Sequence, residues 1–399
     1  MSHHCLNPIL SVILLSTCLT LPVFAETSSC HQESHWFLPE DKHFSSSSEL
    51  IHELRNQQVV LLGEQHDVAE HHRWQLQTIS EIHAVNDNIA LGFEMFPRRV
   101  QAALDAWVAG KLNEKEFLEQ SEWQKVWGYD AQLYMPLFHF ARINHIPMVA
   151  LNIDRSAVRL ASKKGVEAMS KEERLGVSLP AKASADYIEL LATTFGGHGH
   201  GSGETDSEDI KNNAQFLRFV DAQQLWDRAM AEGIANTVLS SSAPLVIGVM
   251  GTGHIVERFG VPHQLNDLDV RKVKVLLPGD STLPCKEVTA RTADGIFGLP
   301  DYEEITSEVK PRLGVHLLHE DGAVKITKIV DKSIAEDSGL QQDDVFITLA
   351  GKHVKTVKDV VDIVQAMQAG TWLPIEINRG GKAMEIIAKF PHTLDKQIN

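Results

Sequence analysis

The chain reads as an α/β protein, a largely parallel sheet flanked by helices with a helical subdomain, followed by a small mostly-β domain. Two patterns predict this. From Phe44 to about Pro300, short apolar runs alternate with longer helical stretches, as strands joined by crossover helices do. After about Ser307 the strands become short and closely spaced around one clear helix, which marks a small β module. A length of 399 residues agrees with two cores, since a single core stops growing at roughly 250–300 residues.

The elements follow in order. Residues 1–25 have the form of a secretory signal peptide. Pro8 to Leu21 is largely apolar but shorter than the ~20 residues of a membrane span, and Val23-Phe24-Ala25 puts a small residue before Glu26, as the cleavage site requires. Export to the periplasm is the expectation. The other reading places a lipid on Cys18 and anchors the mature chain to a membrane. Cys30 and Cys285 would then be the only mature cysteines. An even pair in an oxidising compartment points to a disulfide, with two buried free thiols as the alternative.

The first domain, expected over 26–305, offers five core strands: Val59–Leu62, Ile89–Met95, Pro147–Ile153, Leu245–Met250 and Val273–Leu277. Each is nearly continuously aliphatic, as a parallel strand buried on both faces should be. Ala69–His83, Val100–Ala109 and Phe216–Ile234 carry apolar residues at helical spacing. The long stretch between the third and fourth strands predicts the helical subdomain. Within it, Phe195 to Gly203 is glycine-rich and carries His198 and His200. Such a tract buries too little to offset the entropy of ordering its backbone. It reads either as a mobile loop whose imidazoles reach a metal or haem iron, or as a solvated linker.

Composition narrows the ligands. A formal charge of −16 argues against a nucleic-acid partner, because phosphate neutralisation needs a basic surface. A haem or a divalent metal ion stays open, and the 20 histidines matter only if they cluster. They do so at strand ends. The first strand ends in Gly63-Glu64-Gln65-His66, the second in Glu94-Met95-Phe96, the third in Asn152-Ile153-Asp154-Arg155 and the fourth in Gly251-Thr252-Gly253-His254. Ligands of open α/β sheets collect outside the carboxyl ends of the strands. Glu64, His66, Glu94 and His254 are therefore the candidate catalytic cleft. The glycines are expected to turn the chain sharply off the strand, and each histidine to sit neutral at a first helical turn. His66, Glu94 and His254 could hold a metal with an open position, or the set could act as general acid and base without one.

These motifs carry a family resemblance. Gly63-Glu64-Gln65-His66 with His71 and Gln75, then Phe93-Glu94-Met95-Phe96, Trp123, Trp127-Gly128, Tyr134-Met135-Pro136, Leu225-Trp226-Asp227 and Met250-Gly251-Thr252-Gly253-His254 together resemble the ChaN-like haem-binding family. That family sits in a superfamily with Tiki proteases, TraB-like proteins and erythromycin-esterase-like hydrolases. The resemblance implies haem binding and iron acquisition; the hydrolase branches imply a metal-dependent hydrolase or peptidase instead. Haem iron takes His, Tyr, Met or Cys. His198, His200 and Tyr134 are the candidate ligands, with Tyr129, Tyr187 and the cleft histidines beside them. Trp123, Trp127, Phe138 and Phe140 read either as an apolar slot or as core. A second copy of the chain is a further partner to test.

Residues 308–393 resemble a PDZ domain. Arg312-Leu313-Gly314-Val315 looks like its carboxylate-binding loop, and Val357–Met367 like its groove helix, with Val361 and Val364 facing a peptide. Asp343-Asp344 stands where the family has Gly-Asp. The resemblance implies binding of hydrophobic peptide C-termini. No Ser/His/Asp set accompanies it, so an HtrA-type serine protease is not expected.

Overall fold

A computed structural model describes residues 29–197, 210–301, 311–320 and 322–391. The expected signal peptide at 1–25, Cys18, His198 and His200 lie outside the described residues. The chain divides into two units, Met1–Asp301 and Tyr302–Asn399.

The first unit is built on an eight-stranded sheet. Its strands are β1 (Trp36–Leu38), β2 (His43–Ser45), β3 (Val59–Glu64), β4 (Ile89–Pro97), β5 (Met148–Asn152), β6 (Leu245–Gly251), β7 (Val273–Gly279) and β8 (Gly295–Gly298). They lie in the order β2-β1-β8-β7-β3-β6-β4-β5. From β8 to β5 the neighbours are parallel, while β1 and β2 add an antiparallel edge. All five predicted strands are present. The strands of three and four residues, β1, β2 and β8, were not legible because so few residues display no periodicity.

Strand β3 shows why the sheet is buried on both sides. Val60 and Leu62 pack into one core with Phe93, Phe96, Trp107 and Phe138, whereas Val59 and Leu61 pack into another with Met230, Ile234 and Val275. The alternation follows the two-residue period of a strand. Each such side chain contributes about 1.5–3 kcal/mol when fully buried. The helix Ala214–Val238 starts at Asn213, whose side chain accepts from the N–H of Gln215 at 2.7 Å. It runs through three cores in turn: Phe216 and Val220 pack with Tyr187, Leu225 and Ala229 with Ala157 and Ala161, and Met230 to Val238 with the sheet. This helix holds the helical subdomain to the sheet. Cys30 and Cys285 are joined in a disulfide with a Cα–Cα distance of 5.4 Å. Among the described residues no helix is long and apolar enough to cross a membrane.

The second unit is antiparallel. Strands β9 (Val315–Glu320), β10 (Ala323–Ile329), β11 (Val345–Leu349), β13 (Trp372–Arg379) and β14 (Lys382–Lys389) lie in the order β14-β13-β11-β10-β9, with β12 (Lys352–His353) on β11. Helices Ile334–Asp337 and Val357–Gln365 complete it, giving the small, mostly-β PDZ fold. The longer helix is capped by Thr356 and Asp359 and turns Val360 and Val364 into a core with Phe346, Leu373 and Ile375. Asp343 has φ +73°, the left-handed region that explains glycine there in the family; aspartate tolerates it better than most residues. Asp344 is fully buried and accepts two hydrogen bonds from Arg379, at 2.7 Å each.

Candidate functional site

Strands β3, β6 and β4 are neighbours in the sheet, so their carboxyl ends share one edge. Glu64 pairs with Gly251 across β3 and β6. The four residues expected to form a cleft are brought together there. Glu64 and Glu94 are buried, and His66 Nδ1 lies 2.9 Å from Glu64 Oε1. His254 Nε2 lies 3.5 Å from Glu94 Oε1, while the Gly251 N–H donates to Glu94 Oε2 at 2.7 Å. A Cβ on Gly251 would stand 2.9 Å from His66 Cε1 and 3.6 Å from Glu94 Oε2.

That contact corrects the expected role of the glycines. Gly63 lies inside β3, and Gly251 has φ −57°, so neither adopts a conformation reserved for glycine. They make room. A Cβ on Gly63 would meet Leu277 at 2.5 Å and Thr252 at 2.8 Å.

Behind the four residues stands a layer that sequence reasoning assigned no such role. His254 Nδ1 lies 2.6 Å from Oδ1 of the fully buried Asp227, whose Oδ2 accepts from the Tyr187 hydroxyl at 2.8 Å. Glu64 accepts from the Tyr134 hydroxyl at 2.7 Å and from Gln75 Nε2 at 2.9 Å. His72 reaches the same carboxylate at 3.5 Å. One signal for Asp227 was available: a carboxylate among Leu225, Ala229 and Met230 on a buried helix must be paired. Tyr134 is itself fully buried and committed to Glu64. Its expected place as a haem ligand gives way to that of a group that orients Glu64, and Tyr187 does the same for Asp227. Burial, then the adjacent carboxylate charge, push both phenols far above their ordinary range.

The expected setting of the two imidazoles at a first helical turn is not found either. His66 lies in a turn rather than a helix, and His254 ends a single 3-10 turn, Thr252–His254. Burial disfavours the charged form of His254, but the charge of Glu94 and the hydrogen bond to Asp227 outweigh it and raise its pKa to about 10. For His66 burial is again overcome, here by the Glu64 hydrogen bond and the charge of Glu94, and the pKa is raised. Burial works to raise Glu94, yet the His254 charge holds it below the ordinary carboxylate range. The carboxylates thus face imidazoles, not a common point between them. Among the described residues no three His, Cys, Asp or Glu side chains are arranged to hold a metal ion.

None of Glu64, His66, Glu94 and His254 lines the nearby cleft of about 390 Å³, which is walled by Met95, Trp127, Ile153 and Trp226 and rimmed by Arg99, Lys125, Arg155 and Arg159. Trp127 meets the His66 ring edge-on, centroids 4.7 Å apart; Tyr129 lies 5.4 Å from the same ring, and Trp226 lies 5.2 Å from His254. Of the four aromatic residues expected as slot or core, Trp127 lines the cleft. Trp123 and Phe138 are buried in the core, with Phe140 packed against it.

In the PDZ unit, Arg312, Leu313, Gly314, Val315, Val361 and Val364 line one cleft of about 270 Å³. Gly314 has φ +83°, and a Cβ there would stand 2.2 Å from that of Ser333, so only glycine fits. Val361 is exposed, while Val360 and Val364 line the same groove from buried positions.

Fold and site thus define an α/β protein with two histidine–carboxylate sets near an aromatic cleft, carrying a PDZ module. The chain belongs to the family described as haem-binding uptake, Tiki superfamily, ChaN, whose model matches residues 50–265. The structure described as cofacial heme binding to ChaN of Campylobacter jejuni superposes with a TM-score of 0.51 at 19% identity, covering 67% of this chain and 98% of that one. That likeness concerns the fold. A probable periplasmic serine endoprotease DegP-like from Chlamydia trachomatis is 36% identical over 61 residues, which span 15% of this chain and 12% of that relative. The HtrA3 PDZ domain bound to a phage-derived ligand aligns with 20% of this chain and 84% of its own, at 13% identity and a TM-score of 0.19.

Proposed function

We propose that this is an exported haem-binding protein of haem or iron acquisition, whose PDZ domain holds the C-terminus of a peptide or partner. The observation that carries it is the position of His66. Its Nδ1 is fixed by Glu64, its Nε2 has no hydrogen-bond partner among the described residues, and its ring packs against Tyr129 and against Trp127, which lines the cleft. Membership of the family supports the same ligand.

The residues fit haem. When bound, haem supplies an iron whose axial position takes a histidine nitrogen or a tyrosine oxygen. His66, with Tyr129 beside it, offers such an atom next to Trp127, which lines the cleft. Trp127 and Trp226, which line the cleft, would give a planar ligand apolar contact. His254 has both nitrogens engaged by Asp227 and Glu94, so it contributes a fixed positive charge to the site. Haemin titrated into the protein purified from the full chain, followed by absorbance, is expected to show saturable binding with a shifted Soret band. His66→Ala should weaken it about tenfold or more, by loss of roughly 1.4 kcal/mol or more. Saturable binding unchanged in His66→Ala would remove His66 from the site, and no saturable binding would remove haem.

One observation favours a second reading, hydrolysis. The two histidine–carboxylate sets face each other across Gly251, an arrangement suited to general acid–base work without metal. For the PDZ groove, a peptide ending in an aliphatic residue should bind, and Val361→Asp should abolish binding by placing a charge in the apolar pocket. Equal binding by that variant would refute the groove assignment.

A further inference from the structure

Four cations rim the cleft of the first unit, in a chain whose formal charge is −16. They are not equivalent. Arg99 donates to Asp154 at 2.7 Å and also engages Glu122, and Lys125 lies 2.9 Å from Glu122. Those two are neutralised. Arg155 and Arg159 are exposed and have no ion-pair partner among the described residues. Among the described residues Asp154 is the one acidic group lining the cleft, and Arg99 holds it.

Arg155 and Arg159 stand four residues apart on the helix Arg155–Lys164, so their side chains share one face. Like charges at that spacing mildly destabilise a helix, and an anion between the two would remove that repulsion. The local backbone adds to the effect. The cleft also touches Ser156 in the first turn, where helix N–H groups attract negative charge. The N-cap side chain of Asp154 makes no capping bond there. Guanidinium forks match carboxylates in a planar, two-point contact.

We infer that Arg155 and Arg159 form a carboxylate-recognising subsite at the mouth of the cleft. It selects a planar ligand that presents two acidic arms away from its apolar face. This rests on the haem reading above, in which those arms are the two propionates. The indoles of Trp127 and Trp226 would hold the ring, and the arginines would set which edge of it points outward.

The test compares haemin with its dimethyl ester, which keeps the iron and the ring but removes both negative charges. Each is titrated by absorbance into the wild-type protein, Arg155→Ala/Arg159→Ala and Arg155→Lys/Arg159→Lys. The alanine pair is expected to bind haemin on the order of ten- to a hundredfold more weakly than wild type, as loss of charge-assisted bonds implies. The lysine pair should fall between, and the ester should bind wild type and the alanine pair alike. Haemin binding that is equal in wild type and the alanine pair overturns the subsite while the haem reading stands. Saturable binding of neither ligand by the wild type overturns both. Far-UV circular dichroism of the variants separates lost binding from lost folding.

Discussion

Two segments of this protein are written alike and end unlike. Gly63-Glu64-Gln65-His66 and Gly251-Thr252-Gly253-His254 leave neighbouring parallel strands at the same edge of the sheet. His66 has one nitrogen engaged and a side chain 27% exposed; His254 has both engaged and is 12% exposed. The first is a group that can meet a ligand, the second a buried cation locked between Asp227 and Glu94. Each Nδ1 meets a carboxylate, Glu64 for His66 and Asp227 of the helix Ala214–Val238 for His254, but only His254 has a second, Glu94, at its Nε2. The lesson is that motif symmetry predicts where groups gather, while the second layer decides what each can do.

The comparison breaks most readily at Asp227. Asp227→Ala removes one carboxylate from a buried charge set and leaves the Tyr187 hydroxyl unpaired, at an expected cost of about 3–5 kcal/mol in denaturant unfolding. His66→Ala should cost about 1 kcal/mol, since Glu64 keeps its bonds from Tyr134 and Gln75. Equal losses in the two variants would refute the asymmetry. The pH profile carries the same signature. The His254 pKa is raised from 6.5 to about 10, so the folded state holds a proton that the unfolded chain releases. This contribution is present below pH 6.5 and fades as pH rises toward 10. In Asp227→Ala the fade should shrink, and NMR of the His254 ring should show it titrating lower.

A smaller effect tests the shared glycine. Gly251→Ala would press a methyl against the His66 ring and should cost about 1–3 kcal/mol, with the ring displaced and haemin binding weakened. A Cβ on Gly253 would meet nothing within 4 Å. Gly253→Ala should therefore stay within about 0.5 kcal/mol of the parent. Similar costs in the two alanine variants would mean that space over Gly251 is not what positions His66.

Legibility followed distance along the chain. The PDZ groove could be read because its parts are contiguous: Arg312 to Val315 supply one wall, and Val360 to Val364 supply the other at helical spacing. The five core strands were legible from aliphatic runs, and Glu64, His66, Glu94 and His254 from their places just after those runs. The roles of Tyr187 and the cleft cations were not, because their partners are remote along the chain; Asp227 stood out as a carboxylate among apolar residues, but its partner did not. Trp123 and Phe138 could be read as slot or core and are core, as helical spacing does not say which way a face points.

By itself, then, the amino-acid sequence determined the α/β order, the strand ends that carry carboxylates and imidazoles, the pairable cysteines and the PDZ module, since hydrophobic period and turn chemistry act over a few residues. Only the tertiary structure decided that His254 is a held cation, that His66 keeps a free nitrogen, that Tyr134 serves Glu64, and that Arg155 and Arg159 stand unpaired over a cleft. Those properties depend on burial and on charges a few ångströms away through space. The groups that supply them are remote along the chain: Glu94 and the Gly251 N–H it accepts from are 157 residues apart.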